Sequence, residues 1–544
     1  MSETCAKFIN YCLFAWCLAY SPLTLNNSEL DSTHYLIGKQ LYTQGLLPGG
    51  ERVKAVVQGD IQIEGDQLIC ETCHRKSGMG SNEGQQVVPA VAGQILFKPL
   101  KLPTSRPPEP PIFREGYTKQ TLMAAVRDGI DANGEPLDPF MPRYDIDEAA
   151  LNGLAAYLDT LSQTPSPGVS GSTIHFATIV LSSNRTADNK ALLDVMHQYV
   201  AQKNVETRHE SKRALNAPWH KAWLFKPYRK WQLHTWVLTG PEESWTSQLD
   251  EFYTRQPVFA VINGLVPVGW EGIHRFCESQ GLPCLFPTTQ TPVLSEQDFY
   301  TLYMDKGVVQ EGEALASHVV DSREVVSGIV QFIDNKNPLS GIAAESFRSA
   351  LQASEIPVAN IVMNDLSAAY SHLERLRSDQ AVVFWLDPDQ TNDLLGRMDA
   401  KTQQVYLSTR FYGTSTAVIS PRLHDRISFV HSSEMPGRLD RLLARSTGWF
   451  KAKRIYNDQA KEIQANAYFA LKVAGDAVKH IRGYFYRDYF IEKIEHMIDD
   501  VPYTSIYPRI SLAPDQRFVS RGFYIAKIDK PGGGLVSLTD WKAP

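Results

Sequence analysis

The chain has 544 residues, long enough to hold more than one domain. Hydrophobic residues make up 43% and charged residues 21%, an ordinary balance for a soluble globular protein. A net charge of −6 and a pI near 6.2 give no electrostatic reason to expect nucleic acid or an anionic membrane surface as partner, and nothing after residue 21 approaches the ~20 consecutive apolar residues of a membrane span.

The first 21 residues are different. Lys7 precedes an apolar run from Phe8 to Tyr20 that is broken only by Asn10. That length suits the core of an export signal and is short for a bilayer span. Cys17 and Ala19 place small residues for cleavage after Ala19. A single lysine ahead of the run leaves an uncleaved anchor open. The expectation for 1–21 is a signal peptide or anchor on a protein exported to the periplasm. Leu36 to Gly45 then reads as a short helix ended by glycine, with Gly38 and Tyr42 one turn apart on one face. Between 46 and 69, Gly49-Gly50, Gly59-Asp60 and Gly65-Asp66 separate alternating apolar positions, which predicts a β-hairpin-like insertion.

Cys70-Glu71-Thr72-Cys73-His74 follows, the attachment pattern of a c-type haem. Two cysteine sulfurs at this spacing can each add to a vinyl group, and the next histidine is held beneath the iron. With 7 Cys and 14 His, composition alone would produce the pattern ~0.002 times, so chance does not explain it. Other uses of such residues are a redox dithiol, a structural disulfide or half of a zinc site. Zinc needs four ligands, and no second Cys/His pair lies nearby. The expectation is one covalent haem c on Cys70 and Cys73, with His74 as an axial ligand. Five of the nine residues from Pro103 to Pro111 are proline, which predicts an extended surface loop. Tyr117 to Gly129 returns to helical spacing through Leu122, Ala125 and Val126. The segment Leu137 to Tyr144 carries Met141-Pro142. Asp147 caps a last helix to Leu161, with Leu151, Leu154, Ala155 and Leu158 in phase and Tyr157 beside them.

This order resembles class I cytochrome c over 32–163. The resemblance implies an all-α domain in which Met141, from a Met-Pro loop after the penultimate helix, is the second axial ligand. It also implies that the first and last helices cross with Gly38, Tyr42 and Tyr157 at the contact. Met79 is the rival ligand, but five residues after His74 leave little chain to reach the opposite haem face. Cytochromes of this kind acquire haem outside the cytoplasmic membrane, which agrees with an export signal. His/Met ligation fills both axial positions and argues for electron transfer to a redox protein partner rather than catalysis at the iron. The insertion before Cys70 departs from the family pattern.

Ser, Pro and Gly dominate 162–172, so 164–172 is expected to be a linker. Beyond it, strand signals at Ile174–Leu181, His234–Leu238, Val258–Ile262, Val325–Ile333, Ala381–Leu386, Val405–Ser408 and Ile427–Val430 alternate with helical stretches. These include Asp188–Lys203, Gln310–Val319, Ala343–Ala353 and a long Asp458–Ile481. Such alternation predicts parallel sheets covered by helices, in two lobes over 173–544. With Cys5, Cys12 and Cys17 in the export segment and Cys70 and Cys73 assigned to haem, Cys277 and Cys284 remain. In an oxidising compartment they are expected to form a disulfide, with two buried thiols as the alternative.

Phe276 to Pro287, Gln310 to Ala316, Tyr507 to Leu512 and Gln516-Arg517-Phe518 with Tyr524-Ile525 resemble type 1 periplasmic binding proteins, including a subgroup preceded by a cytochrome c. The resemblance implies a small-molecule ligand between two α/β lobes that close on it. The turn Ser182-Ser183-Asn184 stands where such a fold offers polar contacts, although helix capping is the favoured explanation. The aromatic stretch Tyr484 to Phe490 reads as core packing or a docking patch, and Gly532-Gly533-Gly534 as a turn. No Gly-x-Ser-x-Gly, His-Glu-x-x-His, phosphate loop or dinucleotide fingerprint is present, so no enzyme is expected. The leading expectation is an exported mono-haem electron carrier with a solute-binding-like or partner-docking domain. The second is a periplasmic small-molecule binding protein with an accessory haem domain.

Overall fold

The computed structural model describes residues 27–83, 86–102, 112–209, 229–295, 297–322, 326–398, 404–481, 483–513, 516–529 and 533–543. The expected export segment, the proline run 103–111 and Gly532 lie outside them. The chain divides into two compact units, Met1–Gln163 and Thr164–Pro544. Among the described residues no helix is long and apolar enough to cross a membrane.

In the N-terminal unit the helix Asn27–Gln44 crosses the helix Glu148–Thr160. A Cβ on Gly38 would overlap the carbonyl of Gly153, so glycine is what lets the two backbones touch. Tyr157 packs beside the contact, its ring tilted against those of Tyr42 at 5.3 Å and Tyr35 at 5.5 Å. The crossing expected at Gly38, Tyr42 and Tyr157 is where the helices meet. Asp147 caps the second helix by accepting from the Ala150 amide. The helix expected at 117–129 starts at Lys119, loosens into a π turn over Ala124–Asp128 and stops at Gly129, whose φ is +70°.

The unit is not all-α. Strands β1 (Lys54–Val57) and β2 (Ile61–Glu64) form the expected hairpin. Two further hairpins pair β3 (Ser81–Glu83) with β4 (Gln86–Val88) and β5 (Leu100–Leu102) with β6 (Ile112–Arg114). Strand β7 (Arg143–Asp145), directly after Met141-Pro142, pairs antiparallel with β1. The physical reason is alternation: Val53, Ala55 and Tyr144 turn inward to the core, and that period builds a sheet rather than a helix.

The C-terminal unit contains two sheets. In the first, β8 (Thr173–Leu181), β9 (Lys230–Leu238), β10 (Ala260–Leu265), β11 (Cys284–Leu285) and β12 (Thr301–Leu302) run parallel in the order β12-β11-β10-β8-β9. Helices Thr186–Thr207 and Lys461–His480 cover one face, and Trp245–Arg255 and Glu271–Ser279 the other. In the second, β13 (Gly328–Asp334), β14 (Val358–Met363), β15 (Gln380–Trp385), β16 (Val405–Ser408) and β17 (Ile427–His431) are parallel. The antiparallel β18 (Tyr524–Ile528) and β19 (Leu535–Ser537) extend it, in the order β14-β13-β15-β16-β17-β18-β19. Helices Val308–Asp321 and Pro338–Ala350 cover one face, and Leu366–Leu373 and Pro388–Arg397 the other. This is the expected two-lobed α/β architecture. Three described stretches carry the chain between the lobes: after β12, after β17, and before β18.

The segment 164–172 is not a free linker. Ser166 donates its amide to Phe485 O at 2.8 Å and its hydroxyl accepts from Arg487 N at 3.0 Å, while His175 N donates to Gly168 O at 2.8 Å. Gly168, at φ +86°, lies so close to the Val258–Phe259 backbone that a Cβ would collide, so a Gly-rich composition here serves docking rather than flexibility. Within the aromatic stretch 484–490, Phe485 and Phe490 are fully buried in the core, whereas Tyr484 is exposed. Among them Arg487 donates to Val258 O at 2.6 Å, Phe259 O at 3.1 Å and Gln280 O at 3.0 Å, so its charge satisfies loop carbonyls.

Candidate functional site

In open parallel sheets the loops after the carboxyl ends of the strands are free to hold a ligand, because the helices cover the faces. Both sheets of the C-terminal unit turn such loops onto one cavity of about 440 Å³. Thr288 and Gln290 come from the loop after β11, Asp305 from the stretch after β12, Arg410 from beyond β16 and Ser432 from beyond β17. The first turns of helix Lys461–His480 add Glu462 and Asn466, four residues apart and therefore on one face.

At the back of the cavity lies a charge cluster. Arg410 donates from Nε to Glu311 Oε1 at 3.1 Å, from Nη1 to Gln290 Oε1 at 3.3 Å, and from Nη2 to Asp305 Oδ2. Glu311 is fully buried and also accepts from the hydroxyls of Ser408, at 2.8 Å, and Ser432. Asp305 accepts from Tyr507 Oη and from Gly307 N, both at 2.9 Å. Burial pushes the Glu311 carboxyl above its ordinary range, against the pull of Arg410 and the serines. Burial likewise opposes the Arg410 charge, but Asp305 and Glu311 outweigh it and hold the guanidinium protonated. These groups satisfy one another.

His431, beside them, is also spent. Its Nε2 lies 3.1 Å from Glu434 O, a pure acceptor, so Nε2 carries the hydrogen and Nδ1 accepts from Thr409 Oγ1 at 2.8 Å. Burial lowers its pKa and keeps it neutral. Two lining atoms are different: Thr288 Oγ1 and Asn466 Oδ1 are buried with no hydrogen-bond partner. Asn466 is 8% exposed, so water does not serve it freely. A buried polar atom without a partner costs about 1–3 kcal/mol, which an occupant able to hydrogen-bond would recover.

The turn Ser182-Ser183-Asn184 neither lines this cavity nor caps the helix that follows. Asn184 Nδ2 donates instead to Leu265 O at 2.8 Å and Asn189 Oδ1 at 2.9 Å, tying β8 to the end of β10. Cys277 and Cys284 are free, fully buried thiols in hydrogen-bond contact, not the expected disulfide. Burial drives the Cys284 pKa up.

In the N-terminal unit Cys70, Cys73 and His74 occupy one short helix, Cys70–His74. His74 is 6% exposed, and its Nδ1 lies 2.9 Å from Pro89 O. A carbonyl only accepts, so Nδ1 holds the hydrogen and Nε2 keeps its lone pair. Burial pushes the His74 pKa down and keeps the ring neutral, the form that ligates iron. Tyr144 Oη donates to Leu68 O at 3.1 Å and bonds the Cys70 thiol, which burial pushes up to about 11. Met141 and Cys70 both pack against the core of this unit. Met79 sits between Gly78 and Gly80, at φ +68° and +74°, with its amide bonded to Ser77 Oγ at 3.1 Å. This donor set fits a covalently attached haem. Among the described residues no three His, Cys, Asp or Glu side chains converge on a bare metal site.

No protein-family model matches the chain, and no curated protein is similar to it in sequence. Solved structures are similar to it over part of its length. A branched-chain amino acid ABC transporter protein from Thermus thermophilus with bound valine is 13% identical, with a TM-score of 0.48 over 69% of this chain and 98% of its own. A leucine binding protein from Thermotoga maritima is 13% identical, with a TM-score of 0.47 over 68% and 99%. A fatty acid ABC transporter substrate-binding protein from Thermomonospora curvata is 13% identical, with a TM-score of 0.46 over 70% and 95%.

Proposed function

We propose that this protein is an exported small-molecule binding protein whose N-terminal unit carries one covalent haem c. The observation that carries the first part is the interlobe cavity, where strand-end loops from two lobes converge and two buried polar atoms await a partner. Crossings between lobes act as a hinge, and an occupant bonded to loops of both lobes favours the closed arrangement. The second part rests on Cys70, Cys73 and the His74 tautomer fixed by Pro89. Cys70 and Cys73 would hold the haem covalently, His74 would offer Nε2 to its iron, and Met141 would offer its sulfur. The bound haem supplies a one-electron couple. Electron exchange then needs a redox protein partner in the periplasm, and a membrane enters only if the N-terminal segment is retained. Neither unit calls for an enzyme.

Thermal unfolding of the full chain against a panel of small metabolites tests the binding reading. A ligand present at a hundred times its Kd is expected to add about 2.7 kcal/mol and raise Tm. A panel spanning amines, amino acids, carboxylates and polyols that leaves Tm unmoved would contradict it.

A further inference from the structure

Among the described residues lining the cleft, four carboxylates, Asp188, Asp305, Glu311 and Glu462, face a single guanidinium, Arg410. That guanidinium has no nitrogen to spare, since Asp305, Glu311 and Gln290 take all three. An incoming anion would have to break this cluster.

The other device for holding an anion is a helix N-terminus, where unpaired amides and the macrodipole favour negative charge. Here those places are already filled. Asp188 lies in the first turn of helix Thr186–Thr207, Glu311 in the first turn of Val308–Asp321 and Glu462 in the first turn of Lys461–His480. Asp188 is paired with Arg185 at 2.7 and 2.8 Å, and Glu311 with Arg410. Glu462 is exposed and has no hydrogen-bond or ion-pair partner among the described residues. It still acts on His431 and Tyr507, which places its charge inside the cleft. One turn on, Asn466 presents its unbonded Oδ1, and Thr288 its unbonded hydroxyl.

Resting on the binding reading above, we infer that the ligand of this cleft is a small protonated amine without a carboxylate. Its ammonium group sits against Glu462, and its remaining donors reach Asn466 and Thr288. The apolar lining from Met304, Ile463 and Ile506 takes its carbon chain. A zwitterion meets the same Glu462 with one end, but its carboxylate finds the cation and the helix ends occupied.

Three compounds on one carbon skeleton separate the cases by calorimetric titration of the full chain: leucinol, leucine and 4-methylpentanoate. Leucinol is expected to bind at least tenfold more tightly than leucine, with no binding of 4-methylpentanoate. Glu462→Gln is expected to weaken leucinol at least tenfold while leaving Tm unchanged, because the side chain is exposed. Leucine or 4-methylpentanoate binding as tightly as leucinol overturns the inference, as does an unaltered leucinol affinity in Glu462→Gln. If no amine binds but a carboxylate or polyol from the metabolite panel raises Tm, the inference falls and the binding reading stands. If no compound of any charge class binds, both fall.

Discussion

Alanine at both Cys70 and Cys73 is expected to abolish covalent pigment in protein matured in an exporting, haem-supplying host. Wild-type chain should keep a haem stain after boiling in detergent and electrophoresis, and the double variant should show none. Each single variant should retain one thioether and a fraction of the stain. Met141→Ala is expected to keep the full stain but to lose the weak thioether-to-iron absorption of the oxidised form, since that residue is proposed as a ligand and not as an attachment. The geometry behind this is local: a one-turn helix carries both thiols, and Pro89 fixes the tautomer of His74. A wild-type chain that loses its stain on boiling would contradict the assignment.

Arg410→Met should be the most damaging single change in the C-terminal unit. It leaves Asp305 and Glu311, 5% and 0% exposed, without their cation. Removing one partner of a buried ion pair typically costs about 3–5 kcal/mol, a large share of a domain's stability. Apart from Trp16, every tryptophan lies in Thr164–Pro544, so tryptophan fluorescence in urea follows this unit separately. The pH dependence has a definite sign. The folded-state pKa of Glu311 is already raised above its ordinary 4.5, and losing Arg410 raises it further. A folded state that holds a proton more tightly than the unfolded chain gains stability as pH falls through the raised pKa towards 4.5, and loses it as pH rises. The deficit of the variant should therefore be largest at neutral pH and shrink on acidification. A deficit that grows on acidification would contradict the role assigned to the cluster.

What could be read from the sequence was what is local. Ile174–Leu181 declares a strand because it is buried on both faces from Phe176 on, and its residues are mostly apolar, broken only by His175 and Thr178. The long helix Lys461–His480 declares itself through the helical spacing of Ile463, Ala467, Leu471, Ala474 and Val478. Strand β14 was not visible, because it is an edge strand on which Ala359, Asn360 and Val362 are exposed, so no regular burial pattern is imposed. The antiparallel β18 and β19 arrive after the last crossing and break the strand–helix alternation that the rest of the unit obeys. Cys70, Cys73 and His74, which are proposed to hold the haem, lie within five positions, so that proposal could be made from the sequence alone. Arg410 was not, since Glu311 and Asp305 are 99 and 105 residues away in sequence. Two local readings met a different tertiary setting. Cys277 and Cys284, left over from the cysteine count, stand as two buried thiols in the core, and the turn at Asn184, read from its place after the first strand, turns its amide to Leu265 O and locks two strand ends.

The most direct test of the account is a titration that separates the cleft from every other surface. The compound that raises Tm most should be titrated into wild-type chain and into Asn466→Leu, which fills the same volume but removes the amide. The account predicts at least a tenfold loss of affinity, about 1.4 kcal/mol, with the unfolding temperature of the free protein retained or raised because an unpaired buried amide oxygen is gone. Equal affinity in the two proteins would place the ligand elsewhere and contradict the claim that the interlobe cavity is the binding site.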